Sequence, residues 1–532
     1  MTPRGPTLRV VSINDVYTLE NLPRLRTLVA HFAQTDPADA MLVVLAGDFV
    51  GPSLLSSLDC GRAMVACMNA VGVTHAVLGN HEDDIPTEEL VLRLKELHAK
   101  CLGTNVHGFA DLPPWDVVEV CGPTRTVHVG LVGVVMDDAV VYRRKPFGGA
   151  KLDPPNDAVI RDAKRLIEEA GCATVIPVTH QSLGGDHELA RAGWPVILGG
   201  HEHDVHLEQV ASTWIVKAGS DAVHAAIVDM RWPAGAPSDG KRAEAPQVSV
   251  RIEDVAGYAE DAPLRAMVDA ALRPVRALEV AALLTLQPGE TLSSVGTRSR
   301  QTTMGTLICS RLRDALGAEA CIFNGGGIRG ARDYSTHLTY GDIKTEVPFD
   351  NEVVVASLPG SVLMDAVAAS RAHAPAESPG FLQVDDRTTV SAKDLVETVN
   401  GAPVDPEREY RVALVRNLLT GLDHVGPLVR FGSQHPEKVP PAGSGRDVKQ
   451  VLVDAFSVAL WERLGDFDAV DSNRDGVVSE HELEVAIAND THEAPSPIVA
   501  DLVLHAIDQN RDGVLSREEV AAAEASKRGG KS

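Results

Sequence analysis

Four separated blocks of this chain hold side chains that bind metal ions and move protons: SINDVY at 12–17, LAGDFVGPSLLS at 45–56, VLGNHEDD at 77–84, and the pair PVTH at 177–180 with GGHEHD at 199–204. Carboxylate, amide and imidazole donors in this mixture suit transition or divalent cations such as manganese, zinc or iron. Hydrolysis of a phosphate ester uses two such ions roughly 3.5–4 Å apart, with a shared oxygen ligand, a hydroxide between them and positive charge facing the equatorial oxygens. Asp48 is the natural bridge, because a carboxylate places one oxygen on each ion. Asp15 and His203 would complete one shell, and Asn80, His180 and His201 the other. His81 follows Asn80 and must lie beside the ions, where it can donate to the developing phosphoryl or leaving-group oxygen; Asp84 can fix its tautomer. A single histidine or aspartate would more often be structural. Four blocks in order, each closing a strand pattern, argue for a joint role.

These blocks need a scaffold that gathers distant segments. From Leu8 to Ala218 short apolar runs alternate with longer amphipathic ones: LRVVSI, MLVVLAGD, HAVLGN, TVHVGLVGVV, TVIPVTH and VILGGHEH. Near-continuous Val, Ile and Leu predicts buried strands, and the segments 87–99 and 156–170 read as helices. In such a layered α/β domain Asp15, Asp48, Asn80, His180 and His201 fall at or just after strand ends, the edge where ligand sites collect. Residues 231–247 are rich in Pro, Gly and charge and read as a linker. A strand, VSVRIEDV, and a helix from Asp261 to Arg273 follow, then a second α/β unit closed by HPEKVPPAGSGRD. The expected domains are 1–232, a linker with strand and helix over 233–276, 277–436 and a helical 447–528.

The last of these carries two acidic loops, Asp471–Glu482 and Asp508–Glu519. In each, oxygen ligands fall at loop positions one, three and five (Asp471, Asn473, Asp475; Asp508, Asn510, Asp512) and a glycine turns the chain at six. A carbonyl is offered at seven (Val477, Val514), and a glutamate able to bind through both oxygens closes the loop at twelve (Glu482, Glu519). Val478 and Leu515 can pair as a short strand. The pair resembles EF-hands that bind Ca2+, as a sensor or as a structural clip.

An apolar fraction of 44% is that of a folded protein, so disorder is expected only in linkers. The formal charge of -25 disfavours a nucleic-acid backbone as cargo, and it slows anionic substrates unless metals and local arginines reverse the sign in the pocket. A nuclease would want a basic track with interleaved aromatics, which is missing, and no redox-cofactor fingerprint is present. Cys60, Cys67, Cys101, Cys121, Cys172, Cys309 and Cys321 are odd in number and form no CxxC pair, which favours buried thiols and a reduced compartment. Neither a signal peptide nor a membrane span is visible. A cytoplasmic protein is expected if the sequence is complete, and a secreted or periplasmic one if a leader was removed. No nucleic-acid or membrane partner is expected, and the sequence points to no protein partner.

With GDxxGxxLxS, GNHExD and GGHEHD the chain resembles, over about residues 1–435, the calcineurin-like metallophosphoesterases, and within them the 5'-nucleotidase, UDP-sugar hydrolase and 2',3'-cyclic phosphodiesterase family. The resemblance implies a four-layer α/β domain, an α+β substrate-binding domain and, in this chain, an all-α EF-hand pair. It also implies attack by a metal-bound hydroxide with inversion at phosphorus and no phosphoenzyme. His81 and Asp84 match the family's catalytic dyad. RQTTMGTLIC, FNGGGIRG and YGDIKTEVPFDN look like the substrate domain, where Asn324, Arg329, Phe349 and Asn351 match substrate-contacting positions. Gly325, Gly326 and Gly327 let backbone approach a ligand, and Arg298, or Arg300 in its place, is a further phosphate contact. Phe349 would be one face of a base clamp.

Two departures stand out. The family closes its clamp with a GGDG-aromatic stretch, whereas this chain reads YRVALVRNLLTGLDHVGPLVRF, leaving Asp423 as the surviving residue and His424 or Phe431 as replacements for the aromatic. The family's Asp-x-His is Asp15-Val-Tyr17 here. A tyrosine binds metal well only after losing a proton of pKa about 10, which a trivalent iron could bring about. Tyr17 as a ligand, a weakened first site and a shell completed by water are the alternatives. The function expected is hydrolysis of a small phosphorylated substrate, most directly a nucleoside 5'-monophosphate. Alternatives are a phosphodiesterase or pyrophosphohydrolase acting on cyclic nucleotides or UDP-sugars, a non-nucleoside phosphatase, and a calcium-regulated binding protein with a degenerate site.

Overall fold

Val, Ile and Leu crowd the strand sequences so densely that both faces of each strand must be covered. The computed structural model describes residues 4–142, 145–234, 245–349, 351–491, 497–508, 510 and 512–528, and it divides into two units, 1–272 and 273–532.

The first unit runs through strands β1 (Thr7–Ile13), β2 (Ala40–Ala46), β3 (His75–Val77), β4 (Lys100–Leu102), β5 (Trp115–Cys121) and β6 (Thr126–Val135). It continues with β7 (Thr174–His180), β8 (Val196–Gly200), β9 (Val205–Val210), β10 (Thr213–Ala218), β11 (His224–Arg231) and β12 (Gln247–Asp254). Its longer helices are α1 (Leu22–Thr35), α2 (Arg62–Val71), α3 (Thr87–Glu96), α4 (Pro155–Glu168), α5 (Leu183–Ala190) and α6 (Ala262–Ala271). One sheet has the order β12-β11-β1-β2-β3-β4 and the other β9-β10-β8-β7-β6-β5. Their inner faces meet through Val10, Val44, Val129, Ile176, Leu198 and Val216, all buried. Each such side chain contributes roughly 1.5–3 kcal/mol relative to exposure. Helix α4 places Ala158, Val159, Ala163 and Leu166 on one face against the second sheet and turns Arg161 and Arg165 outward. The helices α1, α2 and α6 pack together as another layer.

The strand and helix expected between the domains are both present and both belong to the first unit. β12 pairs along its length with β11, from Gln247 opposite Arg231 to Asp254 opposite His224, and α6 packs on α1 and α2. The Pro- and Gly-rich residues 235–244 lie outside the described residues.

In the second unit β13 (Ala320–Asn324), β14 (Glu352–Pro359), β15 (Leu382–Val384), β16 (Glu409–Val415) and β17 (Arg446–Asp447) form a sheet in the order β15-β13-β16-β14-β17. Helices α7 (Thr303–Ala315), α8 (Tyr340–Glu346), α9 (Gly360–Arg371) and α10 (Gly426–Gln434) accompany it. Then follow α11 (Val448–Leu464), α12 (Phe467–Val470), β18 (Val477–Ser479), α13 (Glu480–Thr491), α14 (Pro497–Ile507), β19 (Val514–Ser516) and α15 (Arg517–Arg528). No break separates the helical segment from the sheet, because Arg446 and Asp447 pair with β14 and α11 starts at once. Val451, Leu452, Phe456, Leu460 and Trp461 are buried around α11, which packs on α7 on one side and on α14 on the other. Leu460 and Trp461 share a core with Phe467, Leu483, Ile487, Val503 and Leu515. Among the described residues no helix is long and apolar enough to cross a membrane. Cys67, Cys101, Cys172, Cys309 and Cys321 are buried free thiols, Cys60 is half-buried and Cys121 is exposed.

Candidate active site

The carboxyl ends of β1, β2, β3, β7 and β8 converge, and each releases one of the predicted ligands there. Leaving β1, Asp15 takes a φ of 53°, and leaving β2, Asp48 takes one of 54°, a left-handed backbone that costs a residue with a side chain about 1–3 kcal/mol. Hydrogen bonds hold both turns. The Asp15 N–H donates to the Gly47 carbonyl (3.0 Å), and Asn14 donates to the Asp15 carboxylate (2.7 Å) and the Gly219 carbonyl (2.7 Å). Gly47 itself must be glycine, since a Cβ there would lie 2.4 Å from His180 Nδ1. The buried Glu82 carboxylate accepts the N–H groups of Asp48 (3.0 Å), Phe49 (2.7 Å) and Val50 (3.0 Å), so it anchors the loop that presents Asp48. Sequence reasoning missed Glu82, Asn14 and Asp221, the last of which accepts the Tyr17 N–H at 2.8 Å. The one signal for Glu82 was its place inside GNHEDD.

His180 donates from Nδ1 to the Ala46 carbonyl (2.8 Å), which turns Nε2 toward Asp48 Oδ2 (3.1 Å) and Asn80 Oδ1 (3.2 Å). That tautomer is the one a metal needs. The Asn80 amide nitrogen is buried without a hydrogen-bond partner, so the side chain is oriented by its oxygen, as a ligand would be. One atom each of Asp15, Asp48 and His180 lie within 4.8 Å of one another. His203 Nε2 is 3.6 Å from Asp15 Oδ1, and the His201 ring lies 5.5 Å from that of His180. The structure thus gathers Asp15, Tyr17, Asp48, Asn80, His180, His201 and His203 at one point. Tyr17 stands at its centre, with its hydroxyl 3.1 Å from Asp15, 3.2 Å from Asp48 and 3.0 Å from His203.

The charges here are badly matched without cations. Asp15 and Glu82 are 0% exposed and Asp48 is 1% exposed. Burial pushes the Asp15 carboxyl up to about 6 against the pull of His180, and burial with the neighbouring Asp48 pushes Glu82 up to about 7. Burial opposes charge on His180, yet Asp48 prevails and raises it to about 10. His201 is brought down to about 3 by burial and by His180. Asp15 and Asp48, two buried carboxylates beside one charged imidazole, form a donor set that metal ions would complete, while Glu82 is occupied with backbone N–H groups. Beside it the His81 backbone N–H donates to Asp48 Oδ1 (2.9 Å), and the His81 ring meets Asp84 Oδ2 through Nδ1 at 2.8 Å, which fixes the orientation of the imidazole.

In the second unit the Asn324 amide donates to Asp423 (2.6 Å), and the Arg329 guanidinium lies 5.2 Å from the Phe349 ring, which is 43% exposed. The Gly326 N–H donates to Pro379 and the Ser378 N–H to Arg298, drawing those segments together, while the Asn351 carbonyl accepts from Val448. The Arg300 guanidinium donates to the Val295 carbonyl. Phe431 is buried in the core of α10 and unavailable for stacking, because its apolar ring faces the helix's packed side. His424 is exposed, and both Asp423 and His424 have left-handed backbone.

The two acidic loops fold as predicted from their spacing. Val478 pairs with Leu515, Gly476 and Gly513 turn the chain with positive φ, and the carboxylates of Asp471, Asp475, Asp508 and Asp512 accept backbone N–H groups within their own loops. Asn473 and Asn510 turn their side-chain oxygens inward in the same way. Glu482 and Glu519 close over the loops and accept from Asn473 and Asn510 (3.1 Å each), leaving Val477 and Val514 to offer their carbonyls.

Residues 8–205 match the calcineurin-like phosphoesterase family, residues 280–429 the 5'-nucleotidase C-terminal domain, and residues 464–487 and 499–522 the EF hand. Protein UshA of Escherichia coli is 25% identical over 416 residues, 67% of this chain and 73% of that protein. Endonuclease YhcR of Bacillus subtilis is 24% identical over 461 residues, 76% of this chain but 36% of that protein. The solved structure of Haemophilus influenzae NAD nucleotidase shares the fold, with a TM-score of 0.63 at 16% identity, covering 84% of this chain and 95% of that one. The chain is therefore built from a calcineurin-like phosphoesterase domain, a 5'-nucleotidase C-terminal domain and a pair of EF-hands, and is a metal-dependent phosphoester hydrolase.

Proposed function

We propose that the substrates are small phosphomonoesters, with nucleoside 5'-monophosphates the preferred class, and that Asp15, Tyr17, Asp48 and His203 hold one ion while Asp48, Asn80, His180 and His201 hold the other. The observation that carries the reading is the placement of Asp48, which faces Tyr17 and His180 from one carboxylate oxygen while the other accepts the backbone N–H of His81. When bound, the ions supply an activated water and neutralise phosphoryl charge. His81, paired through Nδ1 with the Asp84 carboxylate, would act in its doubly protonated form and deliver the Nε2 proton to the leaving oxygen. The exposed Phe349 ring beside Arg329 offers a face on which an aromatic base can rest, and Asp423, held by the Asn324 amide, offers a carboxylate to polar ester groups.

Phosphate release from AMP, UMP, a UDP-sugar, a 2',3'-cyclic nucleotide and simple sugar or aryl phosphates, each with manganese, zinc or iron, tests the substrate class. AMP or UMP should lead. Changing Phe349 to Ala should then raise KM for them by about 5- to 150-fold, the range that roughly 1–3 kcal/mol of base stacking gives, with kcat little changed. Equal rates on aryl phosphate would instead favour a non-nucleoside substrate, the reading that the exposed His424 in place of an aromatic supports.

Tyr17 bears on the metal. Burial and the charges of Asp48 and Asp15 hold its phenol well above its ordinary pKa, so only a strongly polarising ion would take the proton's place. We read that ion as ferric iron. Iron-loaded protein should show a visible phenolate-to-iron charge-transfer band that disappears in Tyr17→Phe; a colourless, fully active iron form would refute the assignment.

A further inference from the structure

Lys217, in the interior of β10, is fully buried and aims at the strand ends that carry the histidines. Its Nζ donates to the carbonyl oxygens of Gln181 (2.8 Å) and Gly200 (2.7 Å). Gln181 is the residue after His180, and Gly200 is the residue before His201. The amine also donates to Glu202, which sits between His201 and His203, and stands 3.0 Å from Asp186. Both carboxylates are tied back to the same segments. Glu202 accepts the Leu183 N–H (2.7 Å), and Asp186 accepts the Thr179 hydroxyl (2.8 Å) and the Gln181 side-chain amide (3.0 Å).

A lysine buried this deeply gains little for stability, since an apolar side chain in β10 would avoid the desolvation. The neighbouring sequence nevertheless accommodates it: a Cβ on Gly199 would lie 2.9 Å from both Asp186 Oδ2 and Lys217 Cε. His201 holds a φ of 83°, which persists only where the surroundings over-determine it. Its own N–H is fixed by Asp15 at 2.8 Å, and the carbonyl preceding it is fixed by Lys217. Freeing that carbonyl lets the peptide rotate and carries the imidazole out of line.

We propose that Lys217 is the positioning residue of the histidine half of the metal centre, setting through the Gln181 and Gly200 carbonyls the convergence of His180 and His201 on one ion. The proposal rests on the two-ion reading above, and its test separates the two. With calcium saturating the two EF-hand loops, manganese titrated calorimetrically into the full chain freed of transition metals should give two binding steps; a chain that takes up no manganese under these conditions overturns the two-ion reading and this one with it. Against two steps in the unsubstituted chain, Lys217→Met should weaken one step about 10- to 100-fold and leave the other within about threefold. A second variant, Lys217→Met with Asp186→Asn and Glu202→Gln, removes the charges that the single change strands, and it should show the same split in a folded chain. Two steps of unchanged affinity in either folded variant, or equal weakening of both, would overturn the positioning role, because a merely structural residue lowers the melting temperature without discriminating between the ions.

Discussion

Asp48→Asn should cost at least about 10^3-fold in turnover and reduce bound metal from two ions toward one. The asparagine keeps the size of the side chain and tolerates the left-handed backbone at this position, so the fold should survive. The substitution removes the one carboxylate that meets His180 at 3.1 Å, Tyr17 at 3.2 Å and the His81 N–H at 2.9 Å. Losing even one ion forfeits several kcal/mol of charge stabilisation, and about 4 kcal/mol is already a thousandfold. Elemental analysis beside steady-state rates checks both halves of this expectation. Two tightly bound ions with turnover within tenfold of the unsubstituted enzyme would show that another group bridges.

His81→Ala separates proton transfer from metal binding. The side chain touches Asp84 and takes no part in the cluster of Asp15, Asp48 and His180, so both ions should remain. Turnover should fall at least about 100-fold on substrates with poor leaving groups, the usual contribution of a positioned acid. It should fall less on an aryl phosphate whose leaving oxygen needs no proton. A uniform loss across leaving groups would point to transition-state charge stabilisation by His81 rather than proton donation, and unchanged rates would remove the dyad from the mechanism.

The residues gathered at the strand ends were legible in the sequence because each sits in a short motif at the end of an apolar run, where type and spacing are local properties. The EF-hand loops were legible for the same reason, since the residues that fold Asp471–Glu482 lie within the loop itself. The supports were not. Glu82 holds Asp48 through backbone N–H groups on a segment 34 residues away, and Lys217 holds Gln181 across 36 residues, so neither contact leaves a pattern in the chain. β12 read as part of a linker because an edge strand covered on one side has only half-buried alternation, and the charged stretch before it masked even that. Phe431 looked as available as His424, since an aromatic near a substrate motif and an aromatic in a core are spelled alike.

Helix α11 carries a thermodynamic consequence. Because it packs against α7 and against α14, melting either side uncovers one face of the same helix, and the second unit should therefore unfold in a single transition. Free calcium at a hundredfold over its dissociation constant adds about 2.7 kcal/mol per site to the folded side. That increment is not confined to the loops that bind the ion. It is shared by the sheet bearing Asn324 and by the segment bearing Asn351, whose carbonyl accepts the N–H of Val448 at the first turn of the same helix.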